Sequence, residues 1–119
     1  MEQKIRVLIV DDERFFAEML NRSLEGEANI EVVGVAHDAR AALEMEDQHD
    51  PDAILMDIEL PGDMDGIEAA VQIKRAKPGT GIVILSAHNE RRYVTSLPLE
   101  STSGWAYLLK QTVPDVSAV

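Results

Sequence analysis

Short uninterrupted apolar runs alternate along this chain with stretches whose apolar residues return every three or four positions. The first run is Val7, Leu8, Ile9 and Val10, and a continuous run bounded by polar residues predicts a strand buried on both faces. The next stretch brings Phe15, Phe16, Met19, Leu20 and Leu24 onto one helical face, with Gly26 and Asn29 where that helix ends. Ile30–Ala36 is rich in valine and predicts a second strand. Asp38 then suits the N-cap of a short helix that turns Ala39, Ala42 and Leu43 inward. After the turn residues Asp50, Pro51 and Asp52, residues 53–56 predict a third strand. Asp65 or Gly66 opens a helix burying Ile67, Ala70 and Val71, closed by Lys77, Pro78 and Gly79. Residues 81–85 predict a fourth strand. Residues 89–97 can start a helix, but Pro98 lacks the amide hydrogen a helix interior needs, so a short or distorted element is expected there. Trp105–Leu109 reads as a fifth strand, and residues 112–119 as the beginning of a last helix that stops almost at once.

Strands alternating with helices predict an α/β fold, a doubly wound five-stranded parallel sheet joined by right-handed crossovers. The 119 residues suit one domain, with no linker or internal repeat. Ligand sites in such sheets lie beyond the carboxyl ends of the strands.

Composition narrows the function. With 22 acidic and 11 basic residues the formal charge is −11, a surface that repels phosphate backbones and anionic lipid. The chain is not expected to bind DNA or membrane by itself. The absence of cysteine excludes disulfides, thiolate metal sites and cysteine nucleophiles. No apolar run approaches the roughly 20 residues of a membrane-spanning helix, and the expected location is the cytoplasm.

The residues just past the apolar runs are Asp11 and Asp12 after the first strand, Asp57 after the third, Ser86 after the fourth and Lys110 after the fifth. Three carboxylates drawn together repel one another, and a bound hard cation or a raised pKa on one of them relieves the repulsion. Ligands that are all oxygen favour Mg²⁺ over zinc or copper. An aspartate beside Mg²⁺ suits nucleophilic attack on a phosphoryl group, with an ammonium and a hydroxyl holding the transferred oxygens. Lys110 and Ser86 supply those two groups.

Four segments together resemble the receiver domains of two-component response regulators: Val10-Asp11-Asp12-Glu13, Met56-Asp57-Ile58-Glu59-Leu60-Pro61-Gly62, Ser86-Ala87 and Tyr107-Leu108-Leu109-Lys110. The resemblance covers nearly the whole chain and implies a flavodoxin-like sheet of order 2-1-3-4-5. It makes Asp57 the phosphoacceptor, served by a sensor histidine kinase, and Mg²⁺ or Mn²⁺ the cofactor. Asp12 would bind the metal directly, Asp11 mostly through water, and the backbone carbonyl of Glu59 would complete the protein ligands. Lys110 would bind a phosphoryl oxygen, Ser86 would be the switch hydroxyl and Tyr107 the switch aromatic, while Glu59 and His88 would border the path of hydrolytic water. Three features depart from the common pattern. The loop in Pro61-Gly62-Asp63-Met64-Asp65-Gly66 is one residue longer, Gln111 replaces the usual proline after the lysine, and Pro98 and residues 99–104 replace a small-residue helix end. The form without proline resembles the subfamily that continues into a helix-turn-helix DNA-binding domain.

Each role has a plainer competitor. Asp11 and Asp12 alone could be a solvated helix cap, Tyr107 core packing and Ser86 a strand end. His37 and His49 read as surface residues, Trp105 as core, and Met45, Met56 and Met64 as packing. The expected product is a switch rather than an enzyme. An aspartate-nucleophile phosphohydrolase would place its general acid at Glu59 but needs a substrate pocket that 119 residues hardly hold, and a flavin binder would find its phosphate repelled by the acidic strand ends. The missing or truncated last helix predicts one bare apolar face, self-association of the isolated chain into homodimers, and an effector domain, the part that would bind DNA, beyond this chain.

Overall fold

A computed structural model describes residues 4–86 and 105–109. Five parallel strands, β1 (Ile5–Val10), β2 (Ile30–Ala36), β3 (Ala53–Asp57), β4 (Gly81–Ser86) and β5 (Trp105–Leu109), form one sheet in the order β2-β1-β3-β4-β5. Helices α1 (Arg14–Glu25), α2 (Ala39–His49) and α3 (Gly66–Ala76) make the crossovers between the first four strands. The expected architecture and strand order hold.

The period of two along the inner strands divides the core. Leu8 and Val10 of β1, Ile54 and Met56 of β3, and Ile82 and Ile84 of β4 pack on one face against Ala39 and Ala42 of α2 and Ile67, Ala70 and Ile73 of α3. Val7, Ile9, Leu55 and Leu85 point the other way and meet Ala17, Leu20 and Leu24 of α1. One expectation for α1 fails: Phe15 is 85% exposed. Ala17 takes the inward place, while Phe16 and Met19 stay half-buried. The three-to-four spacing holds, but the apolar stripe is centred on positions 17, 20 and 24, and residue 15 lies about 180° around the helix from residue 24 at 100° per residue.

Local chemistry sets the helix starts. Asp38 accepts from the Ala41 amide at 2.8 Å and Asp65 from the Glu68 amide at 2.9 Å, so both act as N-caps. At the amino ends of the strands, the Arg6 guanidinium donates to the carbonyls of His49 and Asp50, where α2 ends on the left-handed Asp50 at φ 48°. Lys77, just past α3, reaches Glu46 Oε2 at 2.6 Å and Asp50 Oδ1 at 3.1 Å. The hydrogen bond that the Lys77 ammonium donates to Glu46, and after it that to Asp50, raises the Lys77 pKa above its ordinary value. Among the described residues no helix is long and apolar enough to cross a membrane. The expected distortion at Pro98 and the short last helix lie outside the described residues, and so does the question of which apolar face it would cover.

Candidate functional site

Parallel pairing carries the strand ends to one edge of the sheet. Val10 pairs with Met56, which sets Asp11 level with Asp57, and Asp57 pairs with Leu85, one residue before Ser86. Asp57 therefore ends the central strand between Asp11 and Ser86. Asp11 and Asp57 are 0% and 3% exposed and Ser86 is buried, whereas Asp12 faces solvent. The carboxylates of Asp11, Asp12 and Asp57 each offer an oxygen within 4.8 Å of the other two.

Asp11 and Asp57 are aimed by their surroundings. The Glu13 amide donates to Asp11 Oδ1 at 2.9 Å, and the Glu59 amide approaches Asp57 Oδ1 at 3.3 Å. Asp57 is also held through its backbone. The Ile58 amide donates to Leu85 O at 3.0 Å, and Ile58 O accepts from the Gly66 amide at 2.9 Å, so the loop between β3 and α3 is closed at its base. Gly66 sits so near that strand end that a Cβ on it would stand 1.8 Å from the Asp57 carbonyl oxygen. Only glycine allows this approach.

Two unit charges about 5 Å apart repel by roughly 3 kcal/mol at an effective dielectric of 20, so three carboxylates this close favour the binding of a cation. All-oxygen donors within 4.8 Å of one another lie near the spacing around Mg²⁺, whose opposite ligands stand about 4.2 Å apart at metal–oxygen distances of about 2.1 Å. The donor set thus fits a small hard dication.

The sequence matches the response regulator receiver domain model over residues 7–115. The chain belongs to the response regulator receiver domain family. As a receiver domain of the two-component type it is 37% identical over 114 residues to the transcriptional regulatory protein DegU of Brevibacillus brevis, covering 96% of this chain and 47% of that protein. The solved receiver domain of the response regulator NarL from Mycobacterium tuberculosis superposes with a TM-score of 0.78 at 34% identity, covering 93% of this chain and 87% of that one. A protein-glutamate methylesterase/protein-glutamine glutaminase of Alkalilimnicola ehrlichii is 44% identical over 84 residues, which is 71% of this chain but 21% of the enzyme. The receiver domain spans about half the length of the transcriptional regulators it matches.

Of the site residues expected from sequence, the structure brings together Asp11, Asp12 and Asp57 and sets Ser86 on the neighbouring strand. The Glu59 amide is turned towards Asp57. Tyr107 lies on β5 opposite Ile84. Lys110 and His88 lie outside the described residues. Sequence reasoning missed two contributors. Gly66 reads from sequence only as a helix start, because its close approach to the Asp57 carbonyl is a meeting of two backbones. His37 was read as a surface residue, yet its Nδ1 lies 2.8 Å from the Asp11 carbonyl. His37 is the residue just past the second strand, where the rule that sites gather at strand ends also points.

Proposed function

We propose that this receiver domain takes a phosphoryl group on Asp57 from the phosphohistidine of a sensor histidine kinase. The observation that carries the assignment is a buried carboxylate at the end of the central strand with two further carboxylates within 4.8 Å. A carboxylate oxygen of Asp57 attacks phosphorus, the phosphorus–nitrogen bond of the donor breaks, and the imidazole leaves with the bonding pair. Asp11 and Asp12 would hold Mg²⁺ or Mn²⁺ together with Asp57 and the Glu59 carbonyl, a reading supported by three carboxylates within 4.8 Å of one another. When bound, the cation offsets the charge on the transferred oxygens. Ser86, buried at the end of β4, and Lys110 would receive the remaining phosphoryl oxygens. The movement of Ser86 onto the phosphoryl group draws Tyr107 inward and reshapes the surface of β5. Glu59 and His88 tune the lifetime of the acyl phosphate by bordering the approach of water. Residues 1–119 form the receiver domain of a regulator that controls transcription through a separate DNA-binding domain, a reading supported by relatives about twice this length.

Incubation with acetyl phosphate and Mg²⁺ followed by intact mass measurement tests the assignment. Wild type should gain one phosphoryl group and Asp57→Asn none; labelling of that variant at the wild-type rate would overturn it. Joint exchange of Glu59 and His88 should change dephosphorylation far more than phosphorylation, and equal changes in both would remove the tuning role.

A further inference from the structure

The ladder between β1 and β2 ends at Val10 and Ala36, and the residue that follows on β1 is Asp11. Its amide still donates to Ala36 O at 2.9 Å. A parallel ladder that went on would answer the Asp11 carbonyl with the amide of residue 38. The chain does not go on. Asp38 turns out of the sheet to cap α2, its side chain accepting from Ala41 at 2.8 Å and its carbonyl from the Ala42 amide at 3.1 Å. The Asp11 carbonyl meets the His37 ring instead, with Nδ1 at 2.8 Å. A carbonyl oxygen only accepts, so Nδ1 carries the hydrogen.

We propose that His37 is a positioning residue for the acidic site: its Nδ1–H replaces the lost ladder bond and fixes the peptide from which the Asp11 carboxylate projects. This rests on the reading of Asp11 as part of the metal site. Asp11 is then held at three atoms, with its amide on Ala36, its carbonyl on His37 and its Oδ1 on the Glu13 amide. Without the imidazole the Asp11–Asp12 peptide loses the anchor on its carbonyl, and the Asp11 carboxylate is held less firmly in the place where it lies within 4.8 Å of Asp12 and Asp57. Groups that orient a metal-binding side chain without touching the metal typically change its affinity by about 10-fold to 100-fold.

Two amides discriminate this role from simple packing. Asparagine places its side-chain nitrogen near the position of imidazole Nδ1, whereas the longer glutamine places its own near Nε2. Calorimetric titration of the full chain with Mg²⁺ at constant ionic strength should show His37→Ala weakened about tenfold, His37→Asn restored most of the way and His37→Gln no better than alanine. Melting temperatures without metal give the structural share of each change. If the alanine variant fails to fold, the asparagine and glutamine pair makes the comparison alone. Equal Mg²⁺ affinity in wild type and all variants, or asparagine and glutamine alike, would overturn the role of His37 and leave the metal site standing. A wild type that binds no Mg²⁺ would overturn both.

Discussion

Leu20 and Phe15 lie on one helix, five residues apart, and face opposite fates. Leu20 is fully buried and Phe15 is 85% exposed. Leu20→Ala should cost about 2–5 kcal/mol, the usual range for a truncated core leucine, and Phe15→Ala less than about 0.5 kcal/mol. Urea denaturation of the two variants checks this; a large loss at Phe15 would mean that something covers it. Asp11 and Asp12 were legible in the sequence because an acidic pair directly after a buried run is visible from neighbours alone. The exposure of Phe15 was not, because the helix period gives a stripe width and leaves its centre to packing. The partner of His37 was invisible for another reason: it lies 26 residues away and is a backbone atom, which no residue type announces.

Helix α3 shows how an element end can govern a side chain that belongs to another element. Gly66→Ala must displace either the first turn of α3 or the Asp57 peptide, since its Cβ would stand 1.8 Å from the Asp57 carbonyl oxygen. The variant should lose stability and also accept phosphoryl from acetyl phosphate more slowly. Asp65→Ala loosens the same helix end without that clash, should cost about 1 kcal/mol, and should leave the rate near wild type. Phosphorylation rates of both variants, followed by intact mass below their melting temperatures, separate the two effects; equal slowing would trace the loss to the helix end in general. The alternation of apolar runs with helical periods made the strands and the three helices readable to within a residue or two. The closed base of the β3–α3 loop was not readable, because it depends on how near two backbones come.

At the scale of the whole molecule two charge systems occupy opposite ends of the sheet. Asp11, Asp12 and Asp57 at the carboxyl ends should bind Mg²⁺ only when folded, and a ligand at 100 times its dissociation constant adds about 2.7 kcal/mol. Millimolar Mg²⁺ should raise the melting temperature of wild type, and Asp12→Ala should lose most of that rise; like responses would place the metal elsewhere. Beneath the sheet, Lys77 joins Glu46 and Asp50, and its pKa is raised above the ordinary lysine value by those hydrogen bonds. A raised folded-state pKa means that the charged lysine stabilises the fold fully at neutral pH, and that this share is lost as pH climbs through the raised value. The stability gap between wild type and Lys77→Met should therefore hold up to about pH 10 and shrink as pH rises past the ordinary lysine value of about 10.4, as measured by urea midpoints. A gap that held constant would show the ion pair to be without effect. The acidic end was foreseeable as a whole from the rule that sheets bind ligands past their strand ends. The lower cluster was not, since its members come from the ends of two helices and only their packing brings them together.

The same polarity offers a handle. Gly79 lies in the connection entering β4 at the amino end of the sheet, is exposed, and has nothing within 4 Å of where a Cβ would stand. The chain contains no cysteine, so Gly79→Cys would create a unique thiol at the pole away from Asp57. Immobilised by that thiol, the domain would lie on a sensor chip with its acidic end towards the flow, and kinase or metal would approach every molecule from the same side.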